Sequence, residues 1–182
     1  MKKYLHATLY HLSRNRRLSF IARTSLLALL AVILPQCAGM TSHPLQGLDA
    51  PDFSLRLLDG GVLNLEEHLG KRPIVLDFWA VWCPACRAGI PKLAAVVEQF
   101  KDKDVVICSV NMGDSQDGIA SFLKTNAVQI PVAMDERNAV GNAYQVRSIP
   151  TKVFIDREGK VSKVTVGTLT ESAFSEAIQK LL

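Results

Sequence analysis

Two cysteines separated by two residues, in Trp82-Cys83-Pro84-Ala85-Cys86, are the side chains of this sequence best suited to chemistry. Before them runs an apolar stretch, Pro73 to Trp79 (PIVLDFW), and after them Ile90, Leu93, Ala94, Val97 and Phe100 recur at helical spacing. The first stretch predicts a buried strand and the second a helix. A cysteine at the first turn of a helix faces unpaired backbone N–H groups and the positive end of the helix dipole, and both favour thiolate over thiol. Thiolate is the nucleophilic form, and thiols at such sites titrate at ~3.5–7.5. Cys83 is therefore expected to be reactive at neutral pH. Cys86 lies one helical turn further on, close enough to attack a mixed disulfide formed by Cys83. Pro84 at the helix start removes no N–H that the helix needs.

Less active uses of the same cysteines fit poorly. A purely structural disulfide closing so short a loop would add only ~2 kcal/mol of loop-entropy stabilisation. A zinc site needs two more ligands, and the body of the chain offers only Cys108, His43 and His68, at no ligand-like spacing. Neither a metal nor a cofactor is expected. Cys108, inside Val105 to Val110 (VVICSV), reads as an inert core thiol. Asp77 stands out as a carboxylate inside an apolar strand, six residues before Cys83. Burial there would raise its pKa; the competing reading points it to solvent from the strand edge.

The elements that must position these residues follow from pattern. Phe53-Ser-Leu-Arg-Leu alternates at period two, Asp59-Gly60-Gly61 is turn chemistry, and Val62-Leu63-Asn64 returns, which predicts a hairpin. VVICSV is a second buried strand. Ser115 to Thr125 and Asn138 to Tyr144 read as helices, the first with Ile119, Phe122 and Leu123 inward. Lys152 to Ile155 and Val161 to Val166 flank the turn Asp156 to Gly159. Thr170 caps a last helix that places Phe174, Ile178, Leu181 and Leu182 on one face. Strands alternating with helices, closed by a hairpin and a helix, predict an α/β fold: a central mixed sheet with helices on both faces.

Charge and hydropathy divide the 182-residue chain unevenly. Six of its 21 Lys+Arg lie before Cys37 and no acid does, so 15 basic residues face all 17 Asp+Glu from Ala38 onward, a formal −2. No basic stripe remains on the body, and nucleic acid is not an expected partner. Residues 1–23 are basic, and Leu26 to Leu34 (LLALLAVIL) is unbroken apolar chain. At ~1.5 Å per residue that run covers about half of a ~30 Å hydrocarbon core. Basic, apolar and then small residues is the order of a bacterial export signal. Three fates stay open: lipidation of Cys37 after a cleavage box in which Gln36 is too large, cleavage after Gly39, or retention of Phe20 to Gly39 as a tilted anchor. The organisation expected is an export signal or membrane anchor at 1–39, a linker at 40–49 and one domain at 50–182. In each version the body faces an oxidising compartment, at the periplasmic face of an inner membrane, tethered or soluble.

The segment Val75-Leu-Asp77-Phe-Trp79-Ala-Val-Trp82-Cys-Pro-Ala-Cys86-Arg87 resembles the active site of thioredoxins. From about residue 46 to the end, including Ala50-Pro-Asp-Phe53, Ser148-Ile-Pro-Thr151 and Gly167, the chain is similar to the TlpA/ResA branch of exported thioredoxin-like proteins, redoxins with an AhpC/TSA-like domain. The resemblance implies a thioredoxin fold with an N-terminal β-hairpin and an αβ insertion across Asn111 to Val132. It implies a cis Pro150 facing the cysteines, with Ile149 offering backbone to an extended client and Trp82, Pro84 and Thr151 beside it. It implies that Asp77 relays the proton of the resolving Cys86. Many relatives of this branch carry Asn at that place and Glu at the place of Gly89, so the proton chemistry here resembles thioredoxin instead. Pro91 matches the kink in the family's active-site helix; the competing reading has it end a short helix.

The function implied is thiol–disulfide exchange with client proteins through a Cys83–Cys86 couple, as a reductase recharged by a membrane electron carrier and acting as a monomer. A dedicated reductant for cytochrome c maturation or copper-site assembly is the alternative. The Gly-Val-Pro-Glu-Thr motif of the haem pathway and the CxxxC spacing of copper delivery proteins are both missing. Thiol peroxidase fits less well, because Leu76 and Ala80 stand where that chemistry uses Pro and Thr or Ser.

Overall fold

A computed structural model describes residues 42–182. The basic leader, Cys37 and the start of the expected linker lie outside the described residues. The hairpin forms as expected: β1 (Ser54–Arg56) pairs antiparallel with β2 (Val62–Asn64). Gly60 takes φ +93° in its turn, and the Gly61 N–H donates to Asp59 Oδ1. A single 3-10 turn, Leu65–Glu67, follows.

The main sheet has five strands in the order β5-β4-β3-β6-β7. Its centre is β3 (Ile74–Trp79), all six residues of which are buried. A strand buried on both faces carries no polar alternation, which is why the sequence there is nearly continuous apolar. Helix α1 (Pro84–Phe100) crosses from β3 to β4 (Val106–Met112), and α2 (Gln116–Thr125) from β4 to β5 (Val132–Asp135), both parallel pairs. After the short α3 (Ala139–Ala143) the chain turns back into β6 (Thr151–Ile155), antiparallel to β3, and β7 (Val161–Val166). Helix α4 (Glu171–Gln179) closes the domain. The last two long helices start on side-chain caps, Ser115 Oγ accepting from Gly118 N and Thr170 Oγ1 from Ala173 N.

Alternation along the strands sorts the core into two layers. Val75, Trp79, Ile107 and Phe154 meet α1, α2 and α4 on one face. On the other, Ile74, Leu76, Phe78, Cys108 and Val153 meet the hairpin, the 3-10 turn and α3. Aromatic pairs fasten both layers: Phe154 against Phe174 edge-on at 5.9 Å, and Phe78 against Tyr144 at 5.6 Å.

Several expectations shift. β5 was not anticipated: its four residues pair with β4, and Leu58 N also donates to Val132 O from the hairpin side. Helix α1 continues through Pro91, so that proline does not end it, and Val96 is buried while Ala94 and Val97 are half-buried. Leu182 is 44% exposed, because α4 ends at Gln179 and the last residues leave the helical face. Part of the expected linker is bonded to the body, with Gly47 N donating to Val161 O and Val161 N donating to Leu48 O.

The packing difference at the C-terminus is measurable. Phe174→Ala should lower the unfolding free energy by ~3–5 kcal/mol. Leu182→Ala should change it by no more than ~0.5 kcal/mol. Denaturant titration of the two variants checks both values.

Candidate active site

The carboxyl end of β3 delivers the chain, through Ala80 to Trp82, into α1. Cys83 becomes the N-cap of that helix, with extended backbone (φ −86°, ψ 111°), and its Sγ accepts a hydrogen bond from Cys86 N at 3.2 Å. Pro84 is the first helical residue, and no acid stands in the first turn to oppose the helix dipole. Cys83 and Cys86 are joined as a disulfide. Both are buried, Cys83 at 5% exposure and Cys86 at 1%.

The approach loop is held from β4. Asp114 Oδ2 accepts from Val81 N at 2.6 Å and from Asn111 Nδ2 at 2.9 Å, while Asn111 Oδ1 accepts from Asp114 N at 3.1 Å. Trp82, next in the loop, is 69% exposed and stands beside Cys83, whereas Trp79 is fully buried against Phe122.

On the opposite side the Ile149–Pro150 peptide bond is cis, and the Ile149 carbonyl oxygen lies 3.8 Å from Cys83 Sγ. Gly167 N donates to Pro150 O at 2.7 Å, which ties the turn to β7. The Thr151 hydroxyl donates to Ser148 O at 2.7 Å and is buried; it closes the turn from inside and does not reach the surface where a client would lie. Between the two sides runs a groove of about 580 Å³, walled by Trp82, Cys83 and Pro84 and by Val146 to Ile149, with Met112, Gly113 and Asn138 also lining it. The structure thus brings Cys83, Trp82, Pro84 and Ile149 together at one groove, with Pro150 and Thr151 supporting it.

Asp77 is 3% exposed and does not point to solvent. It shares the sheet face of Val75 and Trp79, the face on which α1 and Cys86 pack. Burial pushes its carboxyl above the ordinary range, opposed by the ammonium of Lys152. Among the described residues no group of three or more His, Cys, Asp or Glu is placed to hold a metal ion.

The model of the AhpC/TSA family matches residues 47–164. The chain belongs to that family. Its relatives narrow the activity: thiol-disulfide oxidoreductase ResA of Bacillus subtilis is 39% identical over 127 residues, 70% of each chain. ResA of Geobacillus thermodenitrificans is 31% identical over 135 residues, 74% of this chain and 77% of that one. A solved structure of a putative thiol:disulfide interchange protein DsbE from Chlorobium tepidum superposes with a TM-score of 0.66 at 31% identity, covering 73% of this chain and 94% of that one. This chain is a thiol-disulfide oxidoreductase with a thioredoxin fold, and its protein substrates are those that carry thiols or disulfides.

Three contributors escaped the sequence reading. Lys152 carried a visible signal, a lone cation in the apolar run of β6 matching the lone acid of β3. The Asn111–Asp114 pair reads in sequence as ordinary turn chemistry. The groove residues Met112, Asn138 and Val146 have no signature, since separate elements bring them together.

Cys108 sits on the sheet face away from the disulfide, and burial pushes its thiol from an ordinary value of 9.0 up to about 12. A thiol protonated when folded and free to ionise when unfolded adds stability below pH 9 that is lost as pH rises toward 12. The folded oxidoreductase should therefore lose ~1.4 kcal/mol per pH unit from this group across that window. Denaturation midpoints at pH 8 to 11 check it, because Cys108→Ala should flatten the decline relative to the parent.

Proposed function

We propose that this oxidoreductase works outside the cytoplasm as a reductant of client-protein disulfides. Residues 1–39 serve as its export signal or anchor, the next residues as a linker, and the body as the catalytic domain. The observation that carries the reading is the unequal placement of the two sulfurs, with Cys83 opening on the groove at the helix N-cap and Cys86 buried behind it.

In the reduced protein the Cys83 thiolate attacks one sulfur of a client disulfide. That S–S bond breaks, a Cys83–client bond forms, and the released client thiolate takes a proton from water. Cys86 then gives its proton to Asp77 and attacks Cys83 Sγ, breaking the mixed disulfide and freeing the second client thiolate. Two electrons have passed to the client, and Cys83–Cys86 is left oxidised. A membrane electron carrier returns two electrons to the disulfide, and Asp77 hands its proton back to Cys86, so that Cys83 is again the thiolate for the next cycle. The groove binds the client as an extended segment: Trp82 and Pro84 give it an apolar wall, and Ile149, whose backbone makes no backbone hydrogen bond among the described residues, offers strand-like pairing. Pro150 and Thr151 hold that edge in place.

Two measurements test the scheme. Cys86→Ala, expressed in the exporting cell, should accumulate mixed disulfides between Cys83 and client proteins that dissolve on reduction. An empty trap would overturn the exchange mechanism, and the clients caught would distinguish general reduction from service to apocytochrome or copper-site cysteines. Asp77→Asn should slow resolution of a preformed Cys83–peptide disulfide at pH 7 by at least ~10-fold, within the range of general acid–base contributions. An unchanged rate from pH 6 to 9 removes Asp77 from the mechanism.

A further inference from the structure

The groove beside Cys83 contains a side-chain amide to which the exchange steps give no task. Asn138 precedes α3, is half-buried and has φ +56°, in the left-handed region that asparagine tolerates better than most residues. A residue that caps a helix with its side chain has extended backbone. Asn138 does not, and it makes no side-chain cap; the Gly141 N–H of α3 is instead taken by Asp135 Oδ2 at 2.8 Å. The Asn138 amide lies over Gly113, just after β4, where a β-carbon would stand 3.5 Å from Oδ1 and 3.6 Å from Nδ2. Oδ1 is buried with no hydrogen-bond partner among the described residues. Both Asn138 and Gly113 line the groove.

We propose that Asn138 is a client-binding residue, whose side-chain amide pairs with a peptide group of the extended client segment in the groove. The proposal rests on the reading of that groove as the client site. A side-chain amide carries a carbonyl and an NH2, the complement of a backbone N–H and C=O. Rotation about its terminal bond is soft, so either end can turn to the groove. A buried acceptor without a partner raises the free energy of the empty groove. A client that supplies the missing partner binds more tightly for it, whatever its side chains.

Backbone conformation alone does not account for this residue. Glycine holds a left-handed φ with no β-carbon to strain, and it would leave no unpartnered oxygen behind. The place of Asn138 in the groove also fits the task. Ile149 offers backbone to the client from one wall, and Trp82 and Pro84 form the other, while Asn138 comes from a third part of the lining with Met112 and Gly113. A single line of pairing fixes one side of an extended segment. A second contact to its backbone, from a separate element, fixes how the segment lies and so holds its disulfide over Cys83.

The test compares two substrates reduced by the full chain, a short peptide disulfide and bis(hydroxyethyl) disulfide, which has no peptide groups. Asn138→Gly keeps a residue at ease with the left-handed φ and removes the amide. It should raise KM for the peptide by about three- to tenfold, the loss of one net hydrogen bond. Its loss of kcat/KM with the peptide should exceed that with bis(hydroxyethyl) disulfide by about threefold or more. In a series of peptides with one peptide bond at a time replaced by an ester, one position should cost the parent a similar factor. The same ester should cost Asn138→Gly less than about twofold, because its partner is gone. Equal losses with both disulfides, or no ester position that couples to residue 138, overturn the proposal. Trp82→Ala tests the groove itself: if it raises the peptide KM and Asn138→Gly does not, only the role of Asn138 falls. If neither raises it, the reading of the groove falls and this one with it. Asn138→Asp, which keeps the shape and loses the NH2 donor, gives the same comparison should the glycine variant not fold by circular dichroism.

Discussion

The register between β3 and β6 is the constraint on which the rest of the active end depends. The two strands run antiparallel, with Phe78 opposite Thr151 and Asp77 opposite Lys152. The residues leaving β3 toward α1 therefore lie beside the residues entering β6. Cys83 and the Ile149–Pro150 turn meet for that reason and no other, although 66 residues separate Cys83 from Ile149. A slip of one residue would send every β6 side chain to the opposite face, burying Lys152 among Leu76 and Phe78 and turning Phe154 away from α4. Packing of Phe154 on Phe174 on one face and of Val153 and Ile155 on the other forbids it. The hydrophobic core thus fixes the geometry of the chemistry.

The same register brings two charges together in a dry place. Taking a carboxylate and an ammonium out of water costs several kcal/mol per ion, and the attraction between them commonly does little more than offset that cost. A pair of apolar residues at 77 and 152 would fill the space without desolvating any charge. What the pair supplies is a buried acid whose pKa burial raises and a neighbouring ammonium opposes. The burial of the surrounding strands offsets that cost.

How legible the site was depended on distance along the chain. Cys83, Pro84, Cys86 and Asp77 fall within ten residues, on a strand and the helix after it, so spacing alone placed them. The central strand was legible because burial on both faces leaves a continuous apolar run. Lys152 as the partner of Asp77 was not, since that pairing requires the β3–β6 register, which no local pattern encodes. β5 escaped for a related reason: Val132 to Asp135 is four residues after Pro131, too short to display a period, and it becomes a strand by pairing with β4. On α1 the pattern pointed to Ala94 and Val97, but the packed helix turns Val96 inward; a few tens of degrees of rotation separate the two readings. Pro91 read equally well as a kink or an end, and the helix continues because the contacts of Leu93, Val96 and Phe100 outlast the one lost backbone bond.

The three described cysteines show how far placement decides reactivity when the side chain is the same. Cys108 lies in the interior of β4, its Sγ 3.4 and 3.7 Å from the carbonyl oxygens of Ser109 and Pro131, with no helix end nearby to favour a negative sulfur. Desolvation therefore outweighs the one opposing influence, a hydrogen bond with the Ala133 backbone, and pushes the thiol up. Cys86 is just as buried, yet its backbone N–H already points at Cys83 Sγ, and it lies on the sheet face that carries Asp77. Its burial at 1% exposure leaves it the more covered sulfur of the pair. Cys83 alone combines the helix N-cap, a hydrogen bond to sulfur and an opening on the groove. The two sulfurs of one disulfide thus sit in unlike environments, and the third cysteine, on the other sheet face, in neither.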